Sequence, residues 1–194
     1  MKTLALKGTA REVVGKKSTK AVRNADAVPC VLYGGGENIH FELTNSELRK
    51  LIYTPEIYLV ELNIGGKMIK AVMKDAQFHP VKDHVLHVDF YQVNETKPIV
   101  MAVPVKLEGL AEGVKAGGKL SLEMRRLKVK GLYNNIPESL KIDITNLGLG
   151  KTIQVGALAF ENLEIVNPKE AVVCAVKLTI AARGAAAQAA AANK

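Results

Sequence analysis

Two runs of alternating residues, Ile57 to Leu62 and Lys67 to Met73, stand either side of Ile64, Gly65 and Gly66. Adjacent glycines accept the positive φ angles of a tight hairpin turn, and period-two alternation gives each flanking run one inward and one outward face. The chain must therefore hold an antiparallel hairpin with one buried side. Similar signals recur around it. Leu4 and Leu6 read as a first strand, and a second is expected around Glu12 to Val14, broken by Gly15. Pro29 opens a strand from Cys30 to Tyr33, which the triplet Gly34, Gly35 and Gly36 closes with a loop that another molecule can approach closely. Asn38 to Leu43 is a further strand. In the last, Val85 to Val93, alternation sets Leu86, Val88 and Phe90 toward the core and leaves His87, Asp89 and Tyr91 in a row outside. Thr44 with Glu47 makes a capping box for a helix to about Tyr53, stopped by Pro55. Ser18 is the expected N-cap of a shorter helix to about Ala25, with Ala21 and Val22 toward the core and Lys20 and Arg23 together on one side.

Charge is unevenly distributed along this pattern. Residues 1 to 23 carry seven basic side chains against the single acid Glu12, a balance of +6, whereas residues 24 to 94 carry −3. The positive charge of the first part is thus concentrated in one place. Lys16 and Lys17 are expected in the loop leading into the N-terminus of the short helix, where free N–H groups and the helix dipole favour a phosphate. With Arg11, Lys20 and Arg23 they form a candidate polyanion-binding patch, and Tyr33 lies beyond it on the rim of the Gly-flanked turn. Charge alone leaves a solvated face and an RNA-binding face both open.

After Asn94 to Pro98 the character changes. Ile99 to Leu107, Lys119 to Glu123, Arg125 to Lys130, Leu140 to Ile144 and Ala171 to Leu178 are strand-like runs divided by Gly and Asn turns, which predicts a second, mostly β domain over 95–180. Arg126, Lys128 and Lys130 share one strand face, read as the solvated side of an amphipathic strand. The Ala-rich stretch 181–194 contains Gly184 and is about as short as the shortest stable isolated helix, so it is expected to be a mobile tail. The whole is a mostly β chain with short helices, of the α+β class. With 194 residues, 48% of them hydrophobic, and a mean hydropathy of +0.08, it is expected to be soluble with real cores. Those cores must be largely aliphatic, since aromatics are 5% and Trp is absent.

Several function classes are disfavoured. Cys30 and Cys174 are isolated, with no Cys-x-x-Cys pair, so neither a zinc site nor a disulfide framework is indicated and two buried, reduced thiols are expected. Lys7 and Arg11 interrupt the apolar start before it can serve as a signal sequence, and no membrane segment is expected. Gly15-Lys16-Lys17-Ser18 fails as a P-loop, because Ala10 stands where its first Gly belongs and Lys17 where Ser or Thr must follow the Lys. His79, His84 and His87, near Asp83 and Asp89, match no metal motif, and residues three apart on a strand face opposite ways. For His79, before Pro80, a turn role and a contact role both stand. No nucleophile–base arrangement is evident, so an enzyme, and a metal-dependent hydrolase in particular, is disfavoured. No cofactor or small-molecule substrate is expected.

The series Arg11, Gly15-Lys16, Val22-Arg23, Val28-Pro29 and Tyr33-Gly34, followed by Asp75 to Pro80 and by His87 to Phe90, resembles the bacterial large-subunit ribosomal protein family numbered twenty-five, which includes the general stress protein Ctc. The likeness runs in order over the first 94 residues, and the second domain resembles that of the long, two-domain members. It implies a β-barrel of about six strands, similar to the anticodon-binding barrel of glutaminyl-tRNA synthetase. It also implies binding to the minor groove of the loop E region of 5S rRNA, as a monomer among other large-subunit components in the cytoplasmic ribosome. The family's contact positions fall on Arg11, Lys16, Arg23, Tyr33, Gln77, His87 and Asp89; the charge pattern adds Lys17 and Lys20. Val22 stands where the family usually has Leu, a change in packing. A tRNA-type binding module is the alternative within the same class of function.

Overall fold

The computed structural model describes residues 1–179; the expected tail at 181–194 lies outside them. The chain divides into two compact units, one of Met1–Ile99 with Leu132–Glu138, the other of Val100–Gly131 and the residues from Ser139 onward.

The first unit is built on strands β1 (Lys2–Ala10), β2 (Ala27–Tyr33), β3 (Ile39–Thr44), β4 (Tyr58–Ile64), β5 (Lys67–Phe78) and β6 (Val85–Gln92), which close into a barrel in the order β1-β3-β2-β6-β5-β4. Four seams are antiparallel; β1 with β4 and β2 with β6 are parallel. The hairpin read from the glycine pair is present, with Ile64 paired to Lys67 across Gly65 and Gly66, whose φ angles of 57° and 85° suit a turn with both central residues left-handed. Pro29 lies one residue before β2 begins pairing with β6 at Cys30, so its missing N–H interrupts no bond on that side. Inside, Leu6, Val28, Cys30, Leu32, Leu43, Val60, Leu62 and Val88 surround Phe41 and Phe90, whose ring centroids are 5.7 Å apart. The core is aliphatic at its margins but has aromatics at its centre, and burial of each ring contributes about 1.5–3 kcal/mol.

Helix α1 (Lys16–Asn24) follows β1, and α2 (Asn45–Ile52) follows β3, burying Leu48 and Leu51 against the barrel. Thr44 caps α2, and its hydroxyl donates to Glu47 Oε2 at 2.9 Å, so the expected capping pair is made side chain to side chain. Five expectations need correction. Glu12 to Val14 is not a strand: the chain leaves the sheet after Arg11, and Val13 and Val14 are exposed. Gly15, not Ser18, caps α1. Lys16 and Lys17 accordingly stand in its first turn rather than in the preceding loop. Nothing on α1 is fully buried, and of the two residues expected toward the core Ala21 is exposed and Val22 half-buried. Lastly, β5 runs five residues beyond Met73, carrying Asp75 and Gln77 onto the sheet, and shifts register after Gln77, so Val85 takes the core place expected of Leu86.

The second unit is mostly β. Strands β7 (Ile99–Glu108), β8 (Lys119–Leu122), β9 (Arg126–Gly131), β10 (Leu140–Asp143), β11 (Thr152–Gln154), β12 (Glu164–Ile165) and β13 (Val172–Lys177), with the short α3 (Glu112–Lys115), make a four-stranded sheet, β10-β7-β9-β12, and a three-stranded one, β11-β13-β8. Along β9, Leu127 and Val129 are buried, while Arg126, Lys128 and Lys130 are exposed, as their alternation requires. Lys130 pairs with Glu164 of β12 at 3.0 Å. Neither β11 nor β12 shows in the sequence, because two or three residues are too few to display a period.

Candidate nucleic-acid interface

The candidate residues fall into two groups: a helix of cations and a polar sheet face. On α1, Lys16, Lys20 and Arg23 recur at the four- and three-residue spacing that shares a helix side, with Lys17 three residues before Lys20. All four are exposed, and the three lysines form no ion pair among the described residues. The two arginines differ. Arg11, half-buried at the end of the barrel, donates from Nη2 to Ser18 Oγ at 3.1 Å and Thr19 Oγ1 at 3.5 Å, while Ser18 Oγ donates to the Val13 carbonyl at 3.0 Å. These bonds fasten the first turn of α1 to the strand before it. At the other end of the helix, Arg23 donates through Nε and Nη2 to the Leu86 carbonyl, at 3.1 and 2.9 Å. That fork ties α1 to β6 and leaves further N–H groups of an exposed guanidinium for other acceptors. The lysines thus stand on a helix fixed at both ends.

Strand register assembles the polar face. Asp89 lies opposite Val31 of β2 and Asp75 of β5, His87 opposite Gln77, and Tyr91 opposite Tyr33. Four residues widely separated in the chain, Tyr33, Gln77, His87 and Asp89, therefore share one outer surface of three adjacent strands. His87 Nδ1 lies 2.7 Å from Asp89 Oδ1, each side chain about one-third exposed. When Nδ1–H donates to that carboxylate, Nε2 is the ring's remaining hydrogen-bonding atom. The Tyr33 and Tyr91 rings meet edge to face at 5.7 Å. Burial first, then the carboxylates of Asp89 and Asp75, push the Tyr33 phenol above its ordinary value, which keeps it a donor. Gly34, at φ 103°, permits the turn beyond Tyr33; a Cβ there would stand 2.8 Å from the Tyr91 ring. Two polar members of the face, Asp75 and Tyr91, were not among the candidates. Tyr91 was legible from the same alternation as His87, and Asp75 required recognising both that β5 continues past Met73 and that its register shifts there, which turns Asp75 outward.

The other singled-out residues are elsewhere. His79 Nδ1 accepts from the amides of Val81 and Lys82, each at 3.2 Å, and its own N–H donates to the His84 carbonyl, so it organises the turn before β6. Cys30 and Cys174 are free and buried, and burial pushes the Cys30 thiol up to about 12. Among the described residues no helix is long and apolar enough to cross a membrane, and no group of three or more His, Cys, Asp or Glu residues is arranged to hold a metal ion.

A closed barrel that carries its cations on one clamped helix and its paired hydrogen-bonding groups on one outer face suits a docked polyanion of defined shape. Residues 6–90 match the Ribosomal L25p family and residues 98–179 match the ribosomal protein TL5 C-terminal domain, the make-up of a two-domain ribosomal protein. The chain is 62% identical to the large ribosomal subunit protein bL25 of Bacteroides thetaiotaomicron and 63% identical to that of Bacteroides fragilis, in each case over 97% of this chain and 99% of the relative. The Porphyromonas gingivalis protein of that name is 61% identical over 96% and 98%. The chain belongs to the bL25 family of large-ribosomal-subunit proteins. Membership makes it a structural component of the ribosome, a cytoplasmic ribonucleoprotein.

Proposed function

We propose that residues 1–94 form a 5S rRNA-binding domain that docks in the minor groove of the loop E region, among other large-subunit components, with a second domain beginning at residue 95. The observation that carries this reading is the single outer face on which Tyr33, Gln77, His87 and Asp89 meet, beside the clamped helix. The reading is one of binding without chemistry. Lys16, Lys17 and Lys20, with Arg11 and Arg23 holding the helix and adding charge, neutralise phosphates and fix position. Tyr33, Gln77, His87 and Asp89 read base edges and 2′-hydroxyls, which a wide, shallow RNA minor groove presents to a sheet face. A carboxylate facing RNA is costly unless it accepts a hydrogen bond, so Asp89 supports specific recognition over general charge attraction.

Recovery of the RNA bound to tagged full-length chain tests the reading. The expected result is 5S rRNA enriched over tRNA and over other ribosomal RNA. Equal recovery of all three would leave a basic protein with no preferred site, and enrichment of tRNA would favour the alternative. Residues 1–94 alone should keep most of the affinity for 5S rRNA; loss of binding would assign essential contacts to the second domain.

A further inference from the structure

A half-open cleft of about 200 Å³ lies where the end of α1, the start of β2, the start of α2 and the start of β6 converge, lined by Arg23, Asp26, Val28, Asn45, His84 and Val85 among others. It adjoins the proposed RNA face through Arg23, whose guanidinium bonds Leu86 next to His87. Asp26 is held in the left-handed region at φ 56°, where Asp and Asn are the side-chain-bearing residues most at home. Its carbonyl accepts from the Asn45 amide at 3.1 Å and its carboxylate Oδ1 from Asn45 Nδ2 at 3.3 Å. One carboxylate oxygen and one amide face therefore remain available at the mouth. Val28 and Val85 are buried at the apolar side of the cleft. The His84 ring lies 4.9 Å from that of His79, tilted by 35°, and the turn holds His79 in place.

The chemistry of this lining selects its occupant. A carboxylate at the mouth repels a phosphate, and a lone carboxylate beside an arginine does not hold a metal ion. A planar heterocycle with apolar faces and a hydrogen-bonding edge fits all of it: apolar residues and an aromatic ring for its faces, Asp26 and Asn45 for its edge. The volume, several times the ~30 Å³ share of one water, accommodates one such ring. Single-stranded RNA is recognised by splayed bases stacked on aromatic or guanidinium planes and bonded along their edges. Among the bases, guanine presents two adjacent donors, N1–H and the N2 amino group, to a carboxylate acceptor. We propose that this cleft receives one unpaired guanine of the bound ribosomal RNA, with Asp26 accepting from its Watson–Crick edge. The proposal rests on the reading that α1 and the neighbouring barrel face lie against RNA.

The test is kethoxal probing, which modifies guanines at N1 and N2, of total large-subunit rRNA bound by the full-length chain, its Asp26→Asn variant and its His87→Ala variant. Asparagine keeps the left-handed backbone but presents an amide where the carboxylate stood. The expected result is one guanine that wild-type protein protects and Asp26→Asn exposes, with the other protections unchanged and affinity reduced about tenfold, the loss of one charge-assisted hydrogen bond to the base. Replacing that guanine by inosine, which lacks the N2 amino group, should reproduce the loss with wild-type protein and add little to it in the variant, so the result does not depend on the variant's fold alone. If no guanine responds to Asp26→Asn and affinity stays within twofold, the cleft receives no base and the proposal is overturned. A responding guanine outside 5S rRNA supports the cleft and refutes the 5S reading. A His87-dependent footprint on 5S rRNA with no guanine answering to Asp26 does the reverse.

Discussion

The His87–Asp89 pair offers a direct test of readout, through a double-mutant cycle of His87→Ala, Asp89→Ala and both together. In the free protein the two side chains are 2.7 Å apart but 28% and 31% exposed, and a partly solvated pair of this kind contributes at most about 1 kcal/mol to folding. Asp89→Ala also removes a carboxylate directly opposite Asp75, and relief of like-charge opposition across strands offsets about 0.2–1 kcal/mol. Stability in urea should therefore change by less than about 1 kcal/mol in each variant, helped by Val85, Val88 and Phe90 remaining buried behind the face. Binding should respond more strongly. With RNA docked, water is excluded and each lost partner costs about 1–3 kcal/mol for loop E RNA, with little loss for an unrelated duplex. Because Asp89 bonds the ring at Nδ1, the two losses should overlap, giving a coupling of at least about 0.5 kcal/mol. Filter binding or calorimetry at several salt concentrations measures this, and the slope of log K against log salt should stay nearly constant, since no cation is removed. Two results refute the reasoning. Asp89→Ala binding every RNA more tightly would make Asp89 a repelling surface charge, and strictly additive losses would mean that the carboxylate does not orient the ring.

Three further outcomes are expected. Lys16→Ala should weaken binding to all RNAs alike and lower the salt slope by about one counterion's worth, read from the same titrations, because a phosphate contact carries no sequence information. Gly34→Ala should destabilise the barrel by about 1–3 kcal/mol in urea unfolding, since it combines a left-handed φ with a Cβ pressed on Tyr91; an unchanged midpoint would remove the reason for a glycine there. Burial raises the Cys30 thiol from its ordinary 9.0 to about 12. The protonated thiol is thus favoured in the folded state: its contribution is complete below pH 9 and is lost as pH rises toward 12, a decline that Cys30→Ala should reduce in pH-dependent unfolding.

Legibility in the sequence followed the range of the interactions involved. The β4–β5 hairpin was readable because Gly65 and Gly66 are local requirements of its turn, and β9 because six residues suffice to show Leu127 and Val129 alternating with Arg126, Lys128 and Lys130. The outer row His87, Asp89 and Tyr91 was readable for the same reason. What joins that row to Tyr33 and Gln77 is register between β2, β6 and β5, which is not carried by any one segment. The shift after Gln77, which turns Leu86 from a core residue into the acceptor for Arg23, left no local mark either. Val13 and Val14 misled because β-branched residues favour extended backbone wherever they occur, while pairing depends on a neighbour that the chain does not supply there. Ser18 misled because its hydroxyl serves Val13 and Arg11 instead of free amides at the helix start.

The parallel seam between β1 and β4 fixes a timetable for synthesis. Lys2 pairs with Tyr58 and Gly8 with Ile64, so β1, once outside the ribosomal tunnel, has no partner on that side until some fifty more residues have been polymerised. At roughly 5–20 residues per second, that interval lasts seconds. For most of it, the segment bearing Lys16, Lys17 and Lys20 is already outside, and Arg23 has no Leu86 carbonyl to grip until β6 follows. A nascent chain can therefore attract nucleic acid through charge well before it possesses the face proposed to discriminate among RNAs, and on that proposal the barrel's last closure also ends the chain's least selective phase.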